Sequence, residues 1–231
     1  MKVVAATLLS ACLFPLCAYG VDASVPSTTD GGPSVVDSRL PTGRGQSDVN
    51  LIAFVGKRIE ARYVERMPKK NEIILDAEYF LRYEVLQVVF GTYSKKRITF
   101  SSYVHIGTPA FLQHKYGLIY VSEHDGRLVQ QKYLFQPVYP TADGRWAGCG
   151  DPYGDMPGHD VKPEPITFKP PVVFDIRDMP EFVIERRFPS PMFRRKEGSV
   201  VCEMGNYPED LFRVMKDGYL KARGVFSSPR R

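Results

Sequence analysis

The chain has 231 residues, of which 43% are hydrophobic and 25% charged, which is typical of a globular protein and excludes a wholly disordered one. The net charge of +5 is mild, and the basic runs at Arg186–Arg187 and Arg194–Lys196 are flanked by Glu185 and Glu197 without regularly spaced aromatic residues. We therefore expect no nucleic-acid partner and interpret these runs as a solvated face. A 12% aromatic content with 19 Gly and 19 Pro favours strands joined by turns.

Residues 1–20 have the pattern of a secretory signal peptide. Lys2 is followed by an uncharged run from Val3 to Ala18, and Ala18 and Gly20 supply small residues before a cleavage site. The apolar run is shorter than the about 20 residues that a membrane-spanning helix needs. We therefore predict an exported protein, periplasmic or secreted, with an uncleaved anchor as the alternative.

A second interpretation of this segment is lipidation. Leu9–Cys12 resembles a bacterial lipobox, in which the cysteine becomes the lipidated first residue. Attachment at Cys12 would tether the protein to a membrane, and we expect no other membrane contact. Residues 21–48 are rich in Ser, Pro, Gly, Thr and Asp and hold few large apolar side chains, so they are predicted to form a disordered linker.

Residues 49–140 are predicted to hold five strands. From Arg58 onward polar and apolar residues alternate, and this period of two indicates a half-buried strand. Gly56 predicts a bulge or bend, and Asp125-Gly126 supplies the positive φ of a tight hairpin. We expect these strands, in meander order, to close into a small barrel. The predicted strands are residues 51–65, 77–90, 97–104, 116–122 and 128–138, with one helical turn at 109–114.

Three segments carry a resemblance to a known family. Tyr83–Gly91 is a strand that ends in a glycine turn, Ile98–Phe100 is a short strand, and Tyr116–Val121 is a strand with glycine before its apolar residues. In this pattern residues 51–138 resemble the OB-fold, netrin-like modules related to tissue inhibitors of metalloproteases, which implies an OB-like barrel. The family's N-terminal Cys-x-Cys, which supplies the protease-chelating amine, is absent, so the inhibitory mechanism does not carry over.

Residues 141–231 are predicted to form a loop-rich extension that packs on the barrel. The four prolines between 162 and 171 predict an extended segment outside any central strand. Short strands are expected at residues 172–176, 182–187 and 199–204. A helix is predicted to begin near Pro208 and to end at Gly224.

The cysteine count predicts one disulfide bond. If the signal peptide is cleaved after Gly20, only Cys149 and Cys202 remain. Two cysteines in an oxidising compartment usually pair, so we predict a Cys149–Cys202 bridge. Two free thiols are the alternative.

The densest group of polar and aromatic residues lies in the loop after the barrel. Trp146, Asp151, Tyr153 and Asp155 are the predicted binding residues, because loops on a rigid barrel often carry function. One interpretation is a ligand or calcium loop with several carboxylates. The other is a surface loop that packs Trp146 over the barrel end.

Motifs for catalysis are missing from the sequence. We find no nucleophile elbow, phosphate loop or Cys-x-x-Cys, and the spacing of His105, His114 and His124 fits no metal site. We therefore predict no catalytic residues, no metal and no cofactor. The favoured function is an exported binding or inhibitory module with a protein partner. The alternatives are a hydrolase assembled from residues such as His105, His159 and Asp151, and a structural envelope lipoprotein.

Overall fold

The structure is a computed structural model and describes residues 50–68, 70–71 and 73–226. The predicted signal peptide, the linker and Cys12 lie outside these residues. The described residues are mainly β, as predicted, with 46% of them in strands and 15% in helices. In the described part of the chain, no helix is long and apolar enough to cross a membrane.

Five long strands form a closed ring, and their number and positions confirm the sequence prediction. The Asp125-Gly126 hairpin between the fourth and fifth strands has φ values of 50° and 74°, as a tight turn requires. The elements of the ring are β1 Leu51–Val64, β2 Ala77–Phe90, β3 Arg97–Val104, α1 Ala110–Gln113, β4 Tyr116–His124 and β5 Arg127–Pro137.

The predicted meander order is wrong. The order around the ring is β1-β2-β3-β5-β4, so that β4 returns to pair with β1 and β5 pairs in parallel with β3. The physical reason lies in burial: residues 51–55 of β1 and 117–121 of β4 are almost wholly buried and pair directly with each other. Strand segments that are apolar on both faces are stable where other parts of the fold cover both faces, so these two segments pair with each other.

The interior of the ring is filled by side chains from all five strands. Phe54 of β1 lies at its centre, with edge-to-face contacts to Tyr83 and Phe100 at ring-centroid distances of 6.5 and 6.2 Å. Gly56 follows at a register shift between β1 and β2, as predicted. A Cβ atom at Gly56 would lie 2.7 Å from the Phe54 ring, so the position needs glycine.

The outer wall of β1 and β4 is covered by the C-terminal helix. Helix α3, Pro208–Met215, buries Leu211 and Met215 against Val55, Leu118 and Tyr120 of the wall. This second apolar layer explains why residues 51–55 of β1 and 117–121 of β4 lack a polar face. The ring therefore has one core inside it and another between its wall and the extension.

The elements of the extension are β6 Tyr139–Pro140, β7 Trp146–Cys149, β8 Glu164–Pro165, β9 Val173–Asp175, α2 Glu181–Arg187, β10 Phe193–Lys196, β11 Ser199–Cys202, β12 Met204–Asn206, α3 Pro208–Met215 and a π-helix Lys216–Leu220. The strands form two small sheets, with strand orders β6-β7-β12-β8 and β10-β11-β9. The proline-rich β8 lies at a sheet edge, consistent with the expectation that it avoids a central position.

Residues 182–187 form helix α2 instead of the predicted strand. Pro180 precedes the helix and Glu181 lies in its first turn, both common at helix starts. Ile184 and Phe188, four positions apart, bury one side of this segment against Val200. Phe182 is left 69% exposed, which the alternating pattern did not anticipate.

The predicted disulfide is confirmed. Cys149 of β7 is bonded to Cys202 of β11, with a Cα–Cα distance of 6.1 Å. The bridge joins the two small sheets, because β7 belongs to one and β11 to the other.

Candidate functional site

Two loops at one end of the ring expose large apolar side chains. They are the β1–β2 loop, of which the structure describes residues 65–68, 70–71 and 73–76, and the β3–α1 loop, residues 105–109. We call the two together the loop end. Met67 and Ile73 are each 83% exposed, Leu75 is 68% exposed and Ile106 is 78% exposed. A single exposed apolar residue is ordinary, but four on two neighbouring loops make the loop end the candidate surface.

A polar cluster ties the two loops together at their base. His105 Nδ1 lies 2.7 Å from the Leu75 carbonyl oxygen, which can only accept, so this nitrogen carries a proton and donates it. The same nitrogen is 3.4 Å from Asp76, and Lys132 of β5 donates to both carboxylate oxygens of Asp76 at 2.8 Å. These Lys132 hydrogen bonds hold the pKa of Asp76 below its ordinary value. The loops therefore have a fixed attachment although their tips are exposed.

The floor of the loop end is packed with aromatic rings. Phe111 of α1 is buried against the ring interior and contacts Tyr79, with 5.3 Å between the two ring centroids. Tyr79 in turn contacts Tyr63 at 5.8 Å, and Arg58 donates to the Phe111 carbonyl oxygen. The exposed loop tips therefore stand on a packed base, which keeps the shape of the surface.

An irregular stretch of β5 lies next to this end. The pairing of β4 with β5 shifts between Ile119 and Val121, and Gln130 bridges the bulge by donating to the Leu134 carbonyl oxygen at 2.9 Å. Within the bulge Tyr133 has a φ of 65° and is 60% exposed. Positive φ is rare for so bulky a residue.

The predicted binding residues fall into two groups. Trp146 and Tyr153 pack on the outer wall of the ring, where the Trp146 and Tyr116 ring centroids are 4.7 Å apart. Burial raises the pKa of Tyr153 well above its ordinary value, so its phenol stays protonated. Asp151 is half-buried and Asp155 is exposed. Within the described residues, no three His, Cys, Asp or Glu side chains are grouped as metal ligands.

The residues of the hydrolase hypothesis have separate surroundings. His105 bonds to Leu75 and Asp76 at the loop end, whereas His159 Nε2 lies 2.8 Å from the Tyr153 carbonyl oxygen. Asp151 lies in the same loop as His159, and in the described chain no hydrogen bond or ion pair joins either of them to His105. A catalytic set needs its groups within hydrogen-bond reach of one another.

A cleft of about 710 Å³ lies between α2 and β10. Its walls carry two ion pairs, Glu181 with Arg195 at 2.6 Å and Glu203 with Arg194. Because each arginine in the cleft is already paired with a carboxylate, the cleft offers no unpaired arginine to an anionic ligand. We therefore do not place the functional site here.

The sequence analysis did not identify the loop end. Ile73-Ile74-Leu75 is an apolar run before the second strand. The only sign of its exposure in the sequence is that it lies outside the alternating pattern of that strand. Tyr133 carried no signal, because tyrosine is common in regular strands. Comparison of the chain with protein-family models, with curated proteins and with solved structures finds no match.

Proposed function

We propose that the chain is an exported, non-enzymatic binding or inhibitory module of the cell envelope or extracellular space. It recognises a protein partner through the loop end. The observation that carries this proposal is the exposure of Met67, Ile73, Leu75 and Ile106 on two loops joined by the His105–Leu75 hydrogen bond. Burying one such side chain contributes roughly 1.5–3 kcal/mol, enough for a few residues to dominate an interface.

We infer that the ring is an OB-like barrel. The strand order β1-β2-β3-β5-β4 and the short helix between β3 and β4 support this inference. OB-folds bind their ligands partly through the loop between the first two strands, which here is the 65–76 loop. The inferred fold therefore favours the same surface as the exposed side chains do.

We infer export from residues 1–20, and the Cys149–Cys202 bond supports it, because disulfides persist in oxidising compartments. The amino-terminal residue of the secreted chain, determined by mass spectrometry, tests cleavage after Gly20. Radiolabelled palmitate tests lipidation: incorporation that disappears in Cys12→Ser indicates a tethered lipoprotein. Release without label indicates a free protein.

The binding proposal is tested by capture of partners from envelope and secreted extracts with the immobilised full chain. We expect one stoichiometric protein partner. Ile73→Asp and Ile106→Asp should each weaken its binding at least about tenfold, because a charge cannot enter an apolar contact without desolvation. Phe182→Asp is the matched control: this side chain is 69% exposed but lies on α2.

Three results contradict the proposal. Substrate turnover without a partner would indicate an enzyme. Equal loss in Phe182→Asp would show that the charge acts non-specifically, and undiminished binding by both loop variants would place the interface elsewhere. Circular dichroism of each variant, compared with the native chain, establishes that a loss of binding is not a loss of folding.

A further inference from the structure

Two uncommon backbone conformations occur beside each other outside the loop end. Tyr133 has a φ of 65°, whereas the other non-glycine residues of the described chain with positive φ are Asn71 and Asp125, whose types tolerate it. The C-terminal helix continues after α3 as a π-helix over Lys216–Leu220. Both conformations are associated with functional positions, so their proximity is a reason to inspect this surface.

Contacts join the two segments into one surface. Arg223 Nη2 donates to the Lys132 carbonyl oxygen at 3.0 Å. The Lys132 ammonium lies 5.5 Å from the centroid of the Tyr133 ring, and the Arg223 guanidinium lies 5.7 Å from that of Tyr219. The tyrosines are 60% and 51% exposed. We call Tyr133, Tyr219, Lys132 and Arg223 the tyrosine surface.

The two segments that form the tyrosine surface, residues 131–134 and 216–223, carry more basic than acidic residues. Their basic residues are Lys132, Lys216, Lys221 and Arg223, and their acidic residue is Asp217. Asp76 of the β1–β2 loop already accepts from Lys132. Arg223 uses one donor for the Lys132 carbonyl oxygen, and a guanidinium has five, so it can still bind carboxylates.

We propose that the tyrosine surface is a second interaction surface and that it binds an acidic segment of a protein partner. The two rings supply apolar contact with a hydroxyl at the edge, and the Arg223 guanidinium, whose hydrogen bond to the Lys132 carbonyl oxygen uses one of its five donors, pairs with Asp or Glu side chains. Tyrosine and arginine are the residues most enriched at the centres of protein interfaces. This proposal goes beyond the loop end and does not require the loop end to bind.

The test is selection of short random peptides displayed on phage, with the immobilised full chain as target. We expect enriched peptides to be rich in Asp and Glu, and their binding to weaken about tenfold or more at high salt, because the contact is between opposite charges. Tyr133→Asn, Tyr219→Ala and Arg223→Gln should each reduce it about tenfold. Phe182→Ala, which removes another exposed aromatic side chain, on α2, is the matched control and should bind normally.

Tyr133→Asn separates binding from folding. Asparagine accepts a positive φ more readily than tyrosine does, so the variant should unfold at the same or a higher temperature than the native chain while it loses binding. If Tyr133 had only a structural role, its replacement would not reduce peptide binding while leaving the unfolding temperature the same or higher. Ile73→Asp should leave peptide binding unchanged, which distinguishes this surface from the loop end.

The proposal is overturned if no peptide is enriched, if the enriched peptides are neutral or basic, or if Tyr133→Asn and Arg223→Gln bind them as the native chain does. Parallel assays use heparin and phosphatidylglycerol vesicles as anionic probes. Binding to either of these with no acidic peptide enriched would assign the surface to a glycan or a membrane and would also overturn the proposal.

Discussion

Removal of the disulfide bond should lower the stability of the chain by a large and measurable amount. The double variant Cys149→Ala/Cys202→Ala removes the bridge without leaving a free thiol at either position. No covalent loop then restricts the unfolded chain. The two residues are 53 positions apart. The chain-entropy relation assigns about 4 kcal/mol to a loop of this length. A typical domain has only about 5–15 kcal/mol in total, so the midpoint of unfolding should fall clearly.

The assay is guanidinium unfolding followed by tryptophan fluorescence. Trp146 is the only tryptophan of the sequence, and its indole contacts Tyr116 on the outer wall of the five strands. Its emission therefore reports whether the extension is packed on that wall. Circular dichroism at the β-sheet wavelength reports mainly on the five-stranded ring, because its strands are much longer than those of the two small sheets. The native chain in a reducing agent serves as the control and should match the double variant.

The loop-entropy reasoning would be refuted if the double variant unfolded within about 0.5 kcal/mol of the native chain, the size of an ordinary surface substitution. If instead only the fluorescence transition moved, the bridge would stabilise the docking of the extension and not the ring. That outcome would locate its effect at the small sheets that it joins.

Three further predictions concern packing and charge. Gly56→Ala places a Cβ atom 2.7 Å from the aromatic ring of Phe54 and should lower the free energy of unfolding by about 1–3 kcal/mol, measured by thermal unfolding. An unchanged melting temperature would show that the Phe54 side chain moves aside freely. Leu211→Ala empties a fully buried site between α3 and the ring wall and should cost about 2–5 kcal/mol, measured by chemical unfolding, while a cost near zero would contradict the second core. Hydrogen bonds from Arg177 lower the pKa of Asp175 to about 2, below its ordinary value of 3.8, so the stability from this pair is present above pH 3.8 and is lost as pH falls toward 2. Carboxyl NMR titration should show that Arg177→Ala raises the pKa of Asp175 toward 3.8, and an unchanged value would exclude the Arg177 side chain as the cause, because the backbone N–H of residue 177 remains.

Much of the secondary structure could be predicted from the sequence because its causes are local. The alternation in β2 and the Asp125-Gly126 turn depend on neighbours within a few residues. The error in α2 has a local cause too. Over only seven residues, its apolar positions fit both the period of a strand and the period of a helix. Only the packing of Ile184 against Val200 decides between strand and helix.

The candidate site shows a different limit. The sequence analysis favoured the loop with Trp146 and Tyr153 as the binding site. In the structure, the aromatic side chains of both residues pack against the outer wall of the five strands, and binding through that loop stays a prediction. The loop end was missed because exposure is a property of the whole fold. Ile73 is 83% exposed, while Ile119, the same residue type, is fully buried.

The sequence by itself determined the β-rich class, the positions of the five ring strands, the C-terminal helix and the Cys149–Cys202 pair, since each depends on local periodicity, turn chemistry or the count of cysteines. The tertiary structure alone decided that β5 lies between β3 and β4, that α3 covers the wall of β1, and that Tyr133 takes a positive φ. These features depend on contacts between segments far apart in the chain. No short window of sequence contains both partners of such a contact.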